Sequence, residues 1–314
     1  MAPDVTKPGR ILLTGAGGFV GRHLRPALAA AWPEAVLVAG AADLRDADAV
    51  AASVAVARPD VCIHLAAVAT VAAARDDEAR CWDINLHGSL RLAHAILWHA
   101  PACRLLFVSS ADAYGGAGAS GAPLDEGVPL APRNVYAATK AAADLALGAM
   151  VGQGLRVVRL RPFNHTGPGQ SADLAIPAFA RQIARIAAGL QPPLLEVGNL
   201  DTWRDFLDVH DVCAAYIACI ERFDSLPPGG IVNIGSGHAQ RIGDVLGELL
   251  TLAGTAVEVR SEASRTRAHD VVRTVANPAR AHAWLGWQPS VPWSRTLSDV
   301  LADWRARVAA APDS

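Results

Sequence analysis

The sequence predicts an α/β fold in which a parallel sheet is covered by helices on both faces, and three observations predict it. The strand-like segments of the first half are apolar runs without alternation, as strands buried on both faces require. They alternate with helix-like segments. The first of them ends in a glycine cluster that opens a helix.

The elements follow in order. Arg10–Thr14 (RILLT) is a first strand, and a helix then runs from Phe19 to Trp32. Pro26 is expected in its first turns, where a missing N–H does no harm. Ala35–Ala39 reads as a second strand, Asp46–Ala57 as a helix, and Val61–Leu65, bounded by Pro59, as a third strand. Asn85–His99 is helical, Leu105–Ser109 a strand, residues 134–150 a helix and Arg156–Arg161 a strand. The alternation then loosens. Segments 162–204 and 225–295 are rich in Pro and Gly, broken by helices at Ile176–Leu190 and Ile242–Ala253. The expected organisation is a sheet domain over residues 1–162, rejoined by parts of 205–235, with residues 163–314 mostly a smaller interleaved lobe.

Composition narrows the function. Hydrophobic residues are 52% and charged residues 18%, which excludes a disordered chain. Lys and Arg number 28 against 30 Asp and Glu, with no basic run, so nucleic acid is not an expected partner. Apolar runs are broken before reaching membrane-spanning length, so no membrane role is expected. Five scattered cysteines form no CxxC pair and point to a reducing cytoplasm. The histidines form no HxH or HExxH pair, so no metal is expected. The tryptophans, concentrated towards the C-terminus, read as packing.

Three motifs carry chemistry. Gly15, Gly18 and Gly21 in TGAGGFVG stand between strand and helix, where glycines permit a tight turn and close approach of a pyrophosphate to a helix N-terminus. A plain tight turn is the bland alternative. Tyr136 and Lys140 in YAATK share one helix face. An ammonium there would lower the phenol's pKa towards neutrality, although such a pair is commonly a surface contact. Ser109, Ser110 and Asp112 in VSSADAYG fall at the carboxyl end of a strand, where ligands bind in such sheets.

The order and spacing of these motifs resemble the extended short-chain dehydrogenase/reductase family. HLAA at His64–Ala67, Asn85 and RPFN at Arg161–Asn164 are further landmarks of the resemblance, which covers nearly the whole chain. It implies a Rossmann-type doubly wound sheet with a substrate lobe, and Ser110, Tyr136 and Lys140 as the catalytic set, with Ser109 the alternative serine. Cofactor contacts are implied for Gly15, Gly18, Phe19, Val20, Gly21, Arg22, Asp43, Leu44, Leu65, Ala66, Ala67, Tyr136, Lys140 and Pro162. The second strand ends at Ala39–Gly40 without the acid typical of NAD enzymes, and Arg22 follows the glycine loop, which favours NADP(H) while allowing NAD(H). The short connection before Asp43 suggests that one βα unit is missing.

Two longer strings, RPFNHTGPGQ (Arg161–Gln170) and EVGNLDTWRDFLDVHDV (Glu196–Val212), resemble the GDP-4-keto-6-deoxy-D-mannose reductase branch. That resemblance implies reduction of the C4 keto group of a GDP-sugar, giving GDP-D-rhamnose or its C4 epimer. Substrate contacts are implied for Asp112, Asn164, Glu196, Arg204, Arg267 and Asp270, with arginine's fork suited to phosphate. The alternatives are a nucleotide-sugar 4-epimerase or a 4,6-dehydratase with tightly bound NAD(P). A dehydratase needs an additional acid and base, and only Asp112 follows Ser110 and Ala111 closely. A homodimer, pairing through the helices at 85–99 and 134–150, is expected by analogy.

Overall fold

The computed structural model describes residues 7–40, 42–262 and 271–311. The first half alternates as β1 (Arg10–Thr14), α1 (Phe19–Ala31), β2 (Val36–Gly40), α2 (Ala47–Ala57) and β3 (Val61–His64). It continues with the short helices α3 (Val71–Asp76) and α4 (Glu78–Trp82), α5 (Ser89–His99), β4 (Arg104–Val108), α6 (Val135–Ala149) and β5 (Val157–Pro162). Then come β6 (Asn164–Thr166), α7 (Ala175–Ala187), β7 (Leu194–Val197), β8 (Trp203–Asp208), α8 (Val209–Arg222) and β9 (Ile231–Ile234). The chain ends in β10 (Ala239–Arg241), α9 (Ile242–Ala253), β11 (Glu258–Ser261), β12 (Arg273–Thr274), α10 (Ala279–Leu285) and α11 (Trp293–Ala310).

Six strands form one parallel sheet in the order β2-β1-β3-β4-β5-β9. The chain leaves β1 towards β2 on one side and returns to β3 on the other, so the strand order reverses beside β1. That reversal is where doubly wound sheets bind ligands, at the carboxyl ends of the strands. One strand lies outside β1, where the order 3-2-1-4-5-6 would place two, in keeping with the short connection before Asp43. Helices cover both faces. α1 and α8 bury Leu24, Leu28, Val212 and Tyr216 against one side, and α2, α5 and α6 bury Val54, Leu92 and Leu147 against the other. This is the Rossmann-type doubly wound sheet that the sequence predicts.

The smaller lobe is interleaved with it. β8 pairs with β6, β10 and β12, and β7 pairs with β11. α7, α9 and α11 pack over these strands around Phe179, Leu246 and Leu301. α10 returns to the large sheet, placing Leu285 and Trp287 in its core.

Two local expectations are corrected. α1 carries Pro26 in its interior, not its first turns. Pro26 is solvent-exposed, so the carbonyl of Arg22 that it leaves without a helical partner can meet water. The helix expected from Asn85 begins with a π-helical segment, Asp83–Gly88. Asn85 explains it: its amide pairs with the backbone of Val68, at 2.8 Å from Val68 N and 3.1 Å to Val68 O. Such π-turns cluster at functional sites.

Candidate active site

β1 delivers Thr14 to the edge of the sheet, and the chain must then turn within four residues to start α1. Gly15 makes the turn at φ 70°. A Cβ there would lie 2.7 Å from Ala66 N, and one on Gly21 would lie 2.4 Å from the Gly15 carbonyl oxygen. Neither position admits a side chain. The turn thereby rests on Leu65 and Ala66, which with Ala67 follow the end of β3. Gly17 faces outward, with nothing within 4 Å of a Cβ built on it. Gly18 caps α1 with no side-chain acceptor, and Phe19 and Val20 form the first turn. Uncapped N–H groups beside a backbone stripped of side chains make a phosphate cradle, and it fits a dinucleotide pyrophosphate. Beside it, Leu12, Thr14, Gly40, Ala42 and Leu44 line a small cleft at the ends of β1 and β2. Asp43 pairs there with Arg45 at 2.6 Å, which pulls its carboxyl down to about 2.

A directed chain of hydrogen bonds ties this cradle to α6. Ser89 Oγ donates to the Asn85 carbonyl at 2.6 Å, so it must accept from His64 Nε2 at 3.0 Å. His64 Nδ1 then accepts from Thr14 Oγ1 at 2.7 Å, and Thr14 Oγ1 accepts from Ala66 N at 3.3 Å. Burial pushes the His64 imidazole down to about 3, so the ring is neutral with its proton on Nε2. Asn85 Nδ2 donates to Thr139 Oγ1 at 3.0 Å, and Thr139 Oγ1 donates to the Tyr136 carbonyl at 2.8 Å.

α6 starts at Asn134, whose Oδ1 accepts from Ala137 N at 2.8 Å. Tyr136 and Lys140 stand one turn apart on it, beside Ser110 at the end of β4. Ser110 Oγ accepts from Asp112 N at 3.1 Å, and it stands close enough to the Tyr136 hydroxyl to lower that phenol's pKa. Ser109 Oγ, next to it, is buried without a partner, an unspent polar group at the strand end. Lys140 is buried, and its Nζ donates to the Val108 carbonyl at 2.6 Å. Burial pushes the ammonium down to about 8.

One expectation is reversed here. The phenol of Tyr136 lies above its ordinary range, not below it. Burial raises it most and the Asp112 carboxylate next, while the Ser110 hydrogen bond acts the other way. Lys140 directs one of its three N–H donors at the Val108 carbonyl. The phenol is therefore held in its protonated form.

The sequence reading missed Asp144, four residues beyond Lys140. It is fully buried and accepts from Arg161 Nε at 2.9 Å and Nη2 at 3.0 Å, and from Arg159 Nη1 at 3.1 Å. Arg161 also donates to the Tyr114 hydroxyl at 3.0 Å, and Tyr114 donates to Asn233 at 2.7 Å. A third titratable residue on the face of Tyr136 and Lys140 was the available signal.

Past Pro162, the last residue of β5, the chain enters the lobe and lines a cavity of 330 Å³. Asn164, Glu196 and Arg204 all line it. Arg204 Nη1 donates to the carbonyls of Trp203 and Val271, at 2.9 and 2.8 Å. Thr166, Gln170 and Thr202 line it too and were not singled out, although Thr166 and Gln170 lie inside the string that supplied Asn164. Ser110, Asp112 and Tyr136 are outside this lining. Arg267 and Asp270 lie outside the described residues. Arg22, expected as a cofactor contact, stands beside the loop and donates to the carbonyls of Gly17 and Gly169. Among the described residues, no group of three His, Cys, Asp or Glu could hold a metal.

Residues 11–235 match the family described as NAD dependent epimerase/dehydratase. The chain belongs to this family. It is 39% identical over 302 residues to GDP-6-deoxy-D-mannose reductase of Pseudomonas aeruginosa, covering 95% of this chain and 98% of that protein. Among solved structures, RMD from Pseudomonas aeruginosa complexed with NADPH superposes with a TM-score of 0.87 at 37% identity, covering 95% of this chain and all of that one. UDP-glucose 4-epimerase of Thermus thermophilus, solved with NAD, superposes at 0.82 with 28% identity, covering 94% and 99%.

Proposed function

We propose that the protein reduces the C4 keto group of a GDP-4-keto-6-deoxy-hexose with NADPH, giving GDP-D-rhamnose or its C4 epimer. The likeness to a GDP-6-deoxy-D-mannose reductase over almost the whole chain carries this reading. NADP(H) is favoured over NAD(H), in line with the NADPH-bound relative. Bound NADPH would supply a hydride to the carbonyl carbon. Ser110 polarises the keto oxygen, Tyr136 gives that oxygen its proton, and Lys140 holds the nicotinamide ribose hydroxyls. A reductase needs a proton donor at this position, whereas an epimerase or dehydratase starts by removing a proton. Burial and the Asp112 carboxylate hold Tyr136 in the protonated form that a donor needs.

Residues 1–162 form the dinucleotide domain, with parts of 205–235, and residues 163–314 mostly the nucleotide-sugar lobe. In that lobe Arg204 takes the pyrophosphate, Glu196 reaches the guanine edge and Asn164 seats the sugar. The enzyme works as a cytoplasmic homodimer. Five free, buried cysteines suit a reducing compartment.

The test is oxidation of NADPH and NADH with GDP-4-keto-6-deoxy-D-mannose generated in situ. Oxidation that Tyr136→Phe abolishes is the expected result, and product NMR then assigns the C4 configuration. Turnover with neither cofactor sinks the reading and brings forward the epimerase, which a bound dinucleotide in the purified protein's absorbance would reveal.

A further inference from the structure

We propose that Arg22 and His23 are positioning residues that clasp the glycine loop to the segment 163–170, so that a dinucleotide bound on the loop orders one wall of the nucleotide-sugar cavity. The proposal rests on the dinucleotide reading of the glycine loop.

Phe19, Arg22 and His23 stand three and four residues apart on α1 and so share a face. All three reach the same segment. Arg22 Nη1 donates to the Gly17 carbonyl at 3.0 Å and Nη2 to the Gly169 carbonyl at 2.9 Å. One guanidinium thus spans the phosphate turn and a segment far away in sequence, and its planar fork fixes the separation of the two carbonyls. His23 Nε2 lies 2.8 Å from the Pro168 carbonyl, which can only accept, so Nε2 carries the proton. The Phe19 ring stacks on His165, with centroids 6.2 Å apart and planes 10° from parallel.

The clasped segment is hydrogen-bonded within itself and faces the cavity. Asn164, His165, Thr166 and Gln170 line the cavity that also holds Arg204. Gln170 knits the segment together, accepting from Thr166 Oγ1 at 2.7 Å and donating to the His165 carbonyl at 2.9 Å. Its far side is pinned to α11, with Gly169 N donating to Asp303 at 2.9 Å and Arg307 to the Gln170 carbonyl at 3.1 Å. Gly17, by contrast, is open on its outer side. Phosphates seated on the loop would immobilise the Gly17 peptide, and Arg22 would pass that order to Gly169 as a body. Such coupling is reciprocal, so a filled cavity would tighten the dinucleotide in turn.

Amide hydrogen exchange, with and without NADPH, tests this in the wild type, Arg22→Met and Arg22→Lys. Arg22 is exposed, so both variants keep the fold, and an unchanged melting midpoint checks it. NADPH is expected to slow exchange in both the glycine loop and 163–170 of the wild type. At NADPH concentrations that saturate each protein, in Arg22→Met the slowing should persist at the loop and fall about tenfold at 163–170. Arg22→Lys, able to hold one carbonyl at a time, should lie between, a gradation that a merely structural arginine would not give. Equal protection of 163–170 in wild type and Arg22→Met overturns the clasp. Protection of the loop without 163–170 in the wild type also overturns it. Protection of neither segment overturns the clasp and the dinucleotide reading together.

Discussion

Lys140 carries its charge in a buried site, and its titration follows from that. Burial lowers its pKa from 10.5 to about 8. Below pH 8 both folded and unfolded chains hold the proton and the burial penalty acts in full. Between 8 and 10.5 the unfolded chain holds a proton that the folded one has lost, so stability from this group rises with pH. A shift of this size corresponds to about 3 kcal/mol. Lys140→Met relieves it, less about 1 kcal/mol for the Val108 carbonyl left without its donor. The variant should therefore be inactive yet more stable at pH 7 by about 2 kcal/mol, a gain that fades in urea titrations as pH rises from about 8 to 10.5. In the wild type, kcat/KM should fall as Lys140 loses its proton near pH 8, and Lys140→Arg should remove that limb; a profile unchanged in Lys140→Arg assigns the limb elsewhere. The four-residue spacing of Tyr136 and Lys140 is legible in the sequence. The destination of the ammonium is not, because the Val108 carbonyl comes from a strand outside the helix, and neither are the burial and the nearby Asp112 carboxylate that raise Tyr136 instead of lowering it.

At the scale of elements, α6 must sit at a fixed height on β5 for Tyr136 to face Ser110, and a buried ion pair sets that height. Asp144 is fully enclosed between Arg159 and Arg161, with the guanidinium of Arg161 held in two parallel bonds. Asp144→Asn leaves Arg161 buried without its counter-charge and should cost about 3 to 5 kcal/mol, read as a lower urea midpoint. A loss under about 1 kcal/mol, of the size expected for an exposed pair, would show that the network does not anchor the helix. Helix periodicity made α6 readable to within a residue at each end, because apolar spacing and the Asn134 cap agree there. It could not show the π-helical segment at Asp83–Gly88, which exists because Asn85 pairs with the backbone of Val68. Nor could it place Pro26, whose tolerance depends on which side of α1 faces water.

For the whole molecule, five strands of the parallel sheet were legible because each is a largely apolar run between helices, whereas β9, inside the Pro- and Gly-rich stretch, and the lobe were not. Its strands are short, and β8 finds partners in β6, β10 and β12, which no local pattern links. Association is the remaining question at this scale. α5 exposes Trp98 at 82% and α6 exposes Leu145 at 59%, on the two helices through which the homodimer is proposed to form. A two-fold interface uses each residue twice. Tryptophan at the centre of an interface costs about 2 kcal/mol or more when removed, so losing both copies would weaken a dimer about a thousandfold. Trp98→Glu with Leu145→Glu should then sediment as a monomer at micromolar concentration where the wild type sediments as a dimer. NADPH binding should survive, since the glycine cradle lies at the carboxyl ends of the strands and not on these helix surfaces. A wild-type monomer, or a double variant that remains dimeric, would refute this interface.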